Sequence, residues 1–197
     1  MAKIIFALPD KTKTKVQIGI GEENDFTVLT VKFATYTALG SPARGGEISD
    51  EALDIISFDD EVFRALKKAV SIIAVADKSK NELKIRLTEA GYSNDAVSAA
   101  VDECVRLGYI DEMRQLERLI EKEANRKLKG RYYIRHRLIA KGYDAEDIDR
   151  AFDLLTERGE VDFDANFAKL TEKRGEDDER RVRALKYRYG YEDDISE

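Results

Sequence analysis

Two stretches of the 197-residue chain concentrate positive charge without interleaved acids. The first holds Arg126, Lys127, Lys129, Arg131, Arg135, Arg137 and Lys141; the second holds Arg180, Arg181, Arg183, Lys186 and Arg188. Guanidinium groups grip carboxylates and phosphates through paired N–H donors, whereas lysine offers a mobile point charge. If the first stretch is helical, Arg131 and Arg135 lie one turn apart, as do Arg137 and Lys141, and the result is a cationic ridge. Arg180, Arg183 and Lys186 repeat that spacing in the second stretch. The chemistry this supports is recognition of an anionic surface, either acidic side chains or a phosphate backbone, and charge alone does not choose between them. A solvated helix face is the plain alternative for any one residue; the absence of acids across the whole run is what marks the cluster. Tyr132 and Tyr133, set among the arginines, either pack into a core or stack on nucleic-acid bases.

Covalent and acid–base chemistry finds little support. The only histidine, His136, stands inside a basic stretch, and no Ser or Cys has an identifiable base partner. The only cysteine, Cys104, excludes an internal disulfide, and its helical apolar spacing points to a core position. The glycine-rich segment Gly40–Ser49 lacks the Gly-Lys-Ser/Thr ending of a phosphate loop and reads as a turn. Acidic runs at Asp59–Glu61 and Asp177–Glu179 fall at helix starts, where capping and the helix dipole account for them. No catalytic residue, metal ligand or cofactor site is expected.

The net charge of −6 argues against indiscriminate coating of nucleic acid, so the basic stretches are local features of an acidic chain. With 43% hydrophobic and 38% charged residues the composition is that of a soluble folded protein. The longest apolar runs fall well short of the roughly 18 residues needed to cross a bilayer, and the N-terminus lacks a secretion-signal pattern. A cytoplasmic monomer that does not engage membranes is the expectation.

The elements that must position the cations follow from periodicity. Residues 2–33 alternate β-branched and aromatic residues in three runs, which predicts about three antiparallel strands. After Ser49 the spacing turns helical, with Phe63, Leu66, Val70 and Ile73 forming one face. Ser79 and Glu82 have capping-box spacing at a further helix start. A phrase then recurs: Leu87-Thr-Glu-Ala-Gly91-Tyr92, Leu138-Ile-Ala-Lys-Gly142-Tyr143 and, with Lys186 in the leucine slot and Leu185 substituting, Gly190-Tyr191. Each predicts a helix ended by a left-handed glycine, with the tyrosine folding back on the leucine as in a Schellman motif. Leu83 matches Ile134, Val97 matches Ile148, Val101 matches Phe152, Cys104 matches Leu155, Gly108 matches Gly159 and Ile110 matches Val161. Ser93 and Asp144 stand as N-caps, and Asp111 and Asp162 correspond one repeat apart.

The fold expected is mainly α: an elongated array of three tandem three-helix repeats behind a small N-terminal β region. The boundaries are 1–60 for the β region, linker and short helix, then 61–111, 112–162 and 163–197, the last helix being short or truncated. The phrases at 79–112 and 131–163, with their linked Ser-x-x-Glu-Leu, Lys-Gly-Tyr and Gly-x-Ile-Asp features, resemble the RecX family, bacterial regulators of the RecA recombinase. The block at 177–196 is similar to that family's last repeat, so the resemblance covers about residues 61–197. It departs at Glu112, where the family has a second aspartate, and at Lys186. The resemblance implies a non-enzymatic regulator that lies along the RecA filament on single-stranded DNA and modulates its ATPase, strand exchange and SOS co-protease activity. A DNA-binding helical repeat acting without the recombinase is the alternative. A third is a scaffold that holds partner helices in its apolar groove.

Overall fold

The computed structural model describes residues 2–175 and 178–192. Its elements, in chain order, are β1 (Ala2–Pro9), β2 (Lys15–Glu22), β3 (Asp25–Lys32), α1 (Phe33–Ala38), β4 (Glu47–Ile48), α2 (Asp50–Ile73), α3 (Lys80–Glu89) and α4 (Asn94–Arg106). There follow α5 (Glu112–Glu121), a π-helical turn (Lys122–Arg126), α6 (Arg131–Ala140), α7 (Ala145–Glu157), α8 (Phe163–Arg174) and α9 (Glu179–Tyr189). A mainly helical chain with an N-terminal antiparallel sheet is therefore the observed class. It divides into two compact units, Met1–Ala76 with Leu83–Tyr109, and Asp77–Glu82 with Ile110–Glu197.

In the first unit the three expected strands pair in the order β3-β2-β1, and a fourth joins at the far edge. The addition comes from the segment read as a plain turn. Glu47 and Ile48 pair with Lys3 and Ala2, Ile4 N–H donates to the Gly46 carbonyl at 2.9 Å, and Gly45 N–H donates to the Ile4 carbonyl at 2.8 Å. An unpaired strand edge next to a flexible glycine segment gains hydrogen bonds by folding it in, with Gly45 taking a left-handed φ of 82°. Alternate residues Val16, Ile18 and Ile20 turn to one face with Ile4, Val31 and Ile48, and Ile56 of α2 closes that core.

Ser49 caps α2 by accepting from Ala52 N–H at 3.2 Å. The helix then runs unbroken through residue 60, so the boundary read between residues 60 and 61 falls inside it. Its fully buried face also differs from the expected one. Ile56, Val62, Ala65 and Ala69 are buried, whereas Phe63, Leu66 and Ile73 are only partly so and Val70 is 38% exposed. Small alanines let the helix approach β3 and α4 closely; the larger side chains spread to its flanks.

In the second unit one core joins α5, α6 and α7 through Leu116, Ile120, Ile134, Leu138, Ile148, Phe152 and Leu155. Every recurrence of the Gly-Tyr phrase has the predicted geometry. Gly91, Gly142 and Gly190 have φ of 90°, 82° and 77°, and the N–H of the following tyrosine reaches back to Leu87, Leu138 or Lys186 at 3.3, 3.2 and 2.9 Å. Those bonds close the Schellman motif by satisfying carbonyls that the helix end leaves free. Ser93, Asp111, Asp144 and Asp162 all cap the helices that follow them. Residues 176, 177 and 193–197 lie outside the described residues, which takes in Asp177 and the expected last helix.

Candidate partner-binding surface

Building the site begins at the start of α6. Gly130 caps this helix without a side-chain bond, and the first helical residue is Arg131, a cation where the helix dipole prefers an anion. The neighbouring helix supplies the missing negative charge. Asp153 of α7 lies 3.1 Å from Arg131, and one turn further on Asp149 receives Arg135 through both Nε and Nη2 at 3.0 Å. Arg131 also lies over the Phe152 ring at 4.9 Å.

On the other side Glu123, a buried residue of the π-helical turn, accepts from Lys127 at 2.8 Å and from Arg137 at 3.0 Å. Four cations of the run that carries no acid in sequence, Lys127, Arg131, Arg135 and Arg137, are thus compensated in space by acids from α7 and from the turn before α6. Lys129 is placed by aromatic faces instead, with its ammonium 4.3 Å from the Tyr133 ring centre and 4.2 Å from that of Tyr189. Tyr133 therefore has a structural partner, although it and Tyr132 are exposed to a similar extent, 37% and 40%.

The second stretch differs. Asp178 caps α9 through Arg181 N–H, and Leu185 is the residue that α9 buries, as the substitution for leucine at position 186 requires. Lys186 lies 5.6 Å over Phe167 and bonds Glu192 at 2.9 Å. Phe167 in turn packs on Tyr191 at 4.9 Å. Arg180, Arg183 and Arg188 stand exposed, and among the described residues none of them has an acid partner. The same holds for the side chains of Arg126 and Lys141. Tyr187, with half its surface exposed, shares α9 with these arginines.

Sequence reading left out two cations that extend the surface. Arg118 and Lys122 precede Arg126 at four-residue intervals, and with Leu119, Glu121 and Asn125 they line an open depression of about 590 Å³. Arg118 also contacts Asp77. The four-residue spacing was visible in the sequence, but the intervening acids disguised it. His136 is exposed on α6, and Cys104 is buried in the first unit, where burial pushes its thiol pKa up. Among the described residues no cluster of His, Cys, Asp and Glu is placed to hold a metal ion, and no helix is long and apolar enough to cross a membrane.

No profile of a known family matches the chain. Individual proteins do. It is 23% identical over 164 residues to the regulatory protein RecX of Clostridioides difficile (strain 630), covering 83% of this chain and 73% of that one. The regulatory protein RecX of Clostridium tetani (strain Massachusetts / E88) is 24% identical over 153 residues, or 77% of this chain and 68% of its own. A crystal structure of regulatory protein RecX superposes with a TM-score of 0.65 at 20% identity, covering 97% of this chain and 92% of the other. With three left-handed Gly-Tyr helix ends of its own, this chain is similar in sequence to regulatory proteins named RecX and shares the fold of a RecX crystal structure.

Proposed function

We propose that this RecX-type regulator acts in the cytoplasm on the RecA recombinase filament assembled on single-stranded DNA, and that it lowers the filament's ATPase, strand exchange and co-protease activity. The observation that carries the reading is the contrast between the two basic stretches. Helix α6 uses its arginines to hold α7 and the π-helical turn, whereas α9 presents Arg180, Arg183 and Arg188 to solvent with no acid partner among the described residues. Uncompensated arginines on a rigid helix retain their full attraction for an anionic partner, and they lose no internal ion pair when they bind it. Contacts spread along a polymer would add through effective concentration.

The test is RecA ATPase on single-stranded DNA with increasing amounts of this protein. Inhibition that falls at least tenfold in potency for the variant R180E/R183E/R188E supports the reading; unchanged inhibition refutes the site.

The exposed rings of Tyr132 and Tyr187 near cations favour a second reading, direct binding of single-stranded DNA without the recombinase. That reading predicts an affinity for DNA alone that falls steeply with salt, by about −0.7 in the log–log slope for each phosphate contact. The filament reading predicts ATPase inhibition at concentrations where DNA alone is barely bound.

A further inference from the structure

The first unit carries an interaction surface of a different kind. Strand β3 forms one edge of the sheet, and its hydrogen-bonding groups alternate between β2 and the outside. Thr30 and Lys32 point their N–H groups outward, because Asp60 accepts the first at 2.8 Å and Asp59 the second at 3.1 Å. Helix α2 thereby seals the C-terminal half of the edge. The β2–β3 register runs without a break from the Lys15–Lys32 pair to the Glu22–Asp25 pair, so Phe26 and Val28 face the same way as Thr30 and Lys32. No strand or side chain among the described residues meets their outward groups.

Their side chains make the opening apolar. Phe26 and Val28 are 42% and 47% exposed. Phe26 meets Phe6 edge-on at 5.7 Å, and Phe6 covers Gly19, where a Cβ would overlap its ring. Sheet edges are ordinarily blunted by charge, proline or a covering element; here the cover stops halfway. The hairpin tip beside the open half is acidic, with Glu22, Glu23 and Asp25 accompanied by Arg44 at 4.0 Å from Glu23.

We propose that the open half of the β3 edge accepts an extended peptide segment of a partner protein, with alternating apolar side chains and basic residues at the end that meets the hairpin tip. Backbone pairing with Phe26 and Val28 supplies the register, and the Phe6–Phe26–Val28 face takes alternate side chains. A second copy of this chain fits less well. Antiparallel pairing of two β3 strands at Phe26 and Val28 would bring the acidic tip of each copy toward Asp59 and Asp60 of the other, and α2 already occupies the rest of the edge.

The probe is a fluorescein-labelled, acetylated and amidated peptide reading Val-Thr-Val-Thr-Phe-Lys-Lys, titrated with the full chain and followed by anisotropy. Saturable binding is expected, weakened about tenfold or more by Val28→Pro, which removes an outward N–H while leaving the β2–β3 ladder intact. Phe26→Thr should weaken it as well, and carries the test if the proline variant fails to fold. A peptide with proline in place of its second valine should not bind. The proposal is overturned by the absence of saturable binding below about 1 mM, by equal binding to wild type and both variants, or by equal binding of the proline peptide. It is also overturned by a concentration-dependent dimer that Val28→Pro abolishes, which would assign the edge to a second copy.

Discussion

Gly130 and Gly190 meet so closely that a methyl group on Gly130 would overlap the Gly190 carbonyl, and Gly130 N–H donates to the Tyr189 carbonyl at 2.8 Å. The same junction occurs one repeat earlier, where Ser79 Oγ donates to the Lys141 carbonyl at 2.8 Å and Ser79 and Asn81 crowd Gly142. In both, the start of one helix satisfies the end of the helix one repeat later, so carbonyls that a helix terminus leaves free are used to join repeats. Glu112 also serves the first junction, since its side chain accepts from the Lys80 N–H at 2.7 Å.

That junction predicts an order among glycine substitutions. Gly108→Ala, at a left-handed residue with open space around it, should cost about 1 kcal/mol of backbone strain. Gly130→Ala must displace backbone and should cost about 3 kcal/mol. Ser79→Ala, which loses a cap and a junction bond together, should fall between them at about 2 kcal/mol. Urea unfolding midpoints of the three variants check the order, and a Gly130→Ala variant as stable as wild type would contradict the junction.

The two basic stretches should separate in stability measurements. Glu123→Ala leaves Lys127 and Arg137 uncompensated beside a buried site, and a loss of about 1–3 kcal/mol is expected, reduced from a fully buried pair because both cations are partly exposed. Arg183→Ala, on the open face of α9, should change stability by less than about 0.5 kcal/mol. Chemical denaturation of both variants decides the matter; equal effects would mean that α9 arginines are structural too.

Alkaline pH should destabilise the second unit through its buried Tyr143 and half-buried Tyr191. Burial pushes the hydroxyls of Tyr143 and Tyr191 up to about 12, from 10 in the unfolded chain. A raised pKa means the folded state holds the proton more tightly, so this stability is complete below pH 10 and is lost as pH rises through about 12. Tyr143 also loses the bond it donates to Gln115 at 2.9 Å. Its share is on the order of 2–3 kcal/mol. Tyr143→Phe should flatten the decline in melting temperature between pH 10 and 12.

Cys104 offers a probe of the first unit. It is fully buried and its thiol pKa is raised by that burial, so a thiol-specific reagent should label it only as fast as the unit opens. Labelling within seconds under native conditions would place Cys104 at the surface instead.

Local information determined much of this protein. Schellman ends at Gly91, Gly142 and Gly190, caps at Ser93, Asp111, Asp144 and Asp162, and the matched buried positions from Leu83 to Val161 all follow from residues within one or two turns, so their types and spacing reveal them. Tertiary structure decided the rest. Strand β4 arose because a free edge of β1 captured Glu47 and Ile48, and the buried stripe of α2 rotated onto its alanines because β3 and α4 come close. Within the acid-free run from Arg126 to Lys141, Lys127, Arg131, Arg135 and Arg137 became ion-paired because Glu123, Asp149 and Asp153 approach them in space. Charge is a long-range property, and a count along the chain cannot say which cations a neighbouring helix has already neutralised. That is why the sequence marked both basic stretches alike, and why only the fold shows that Arg180, Arg183 and Arg188 have no acid partner among the described residues.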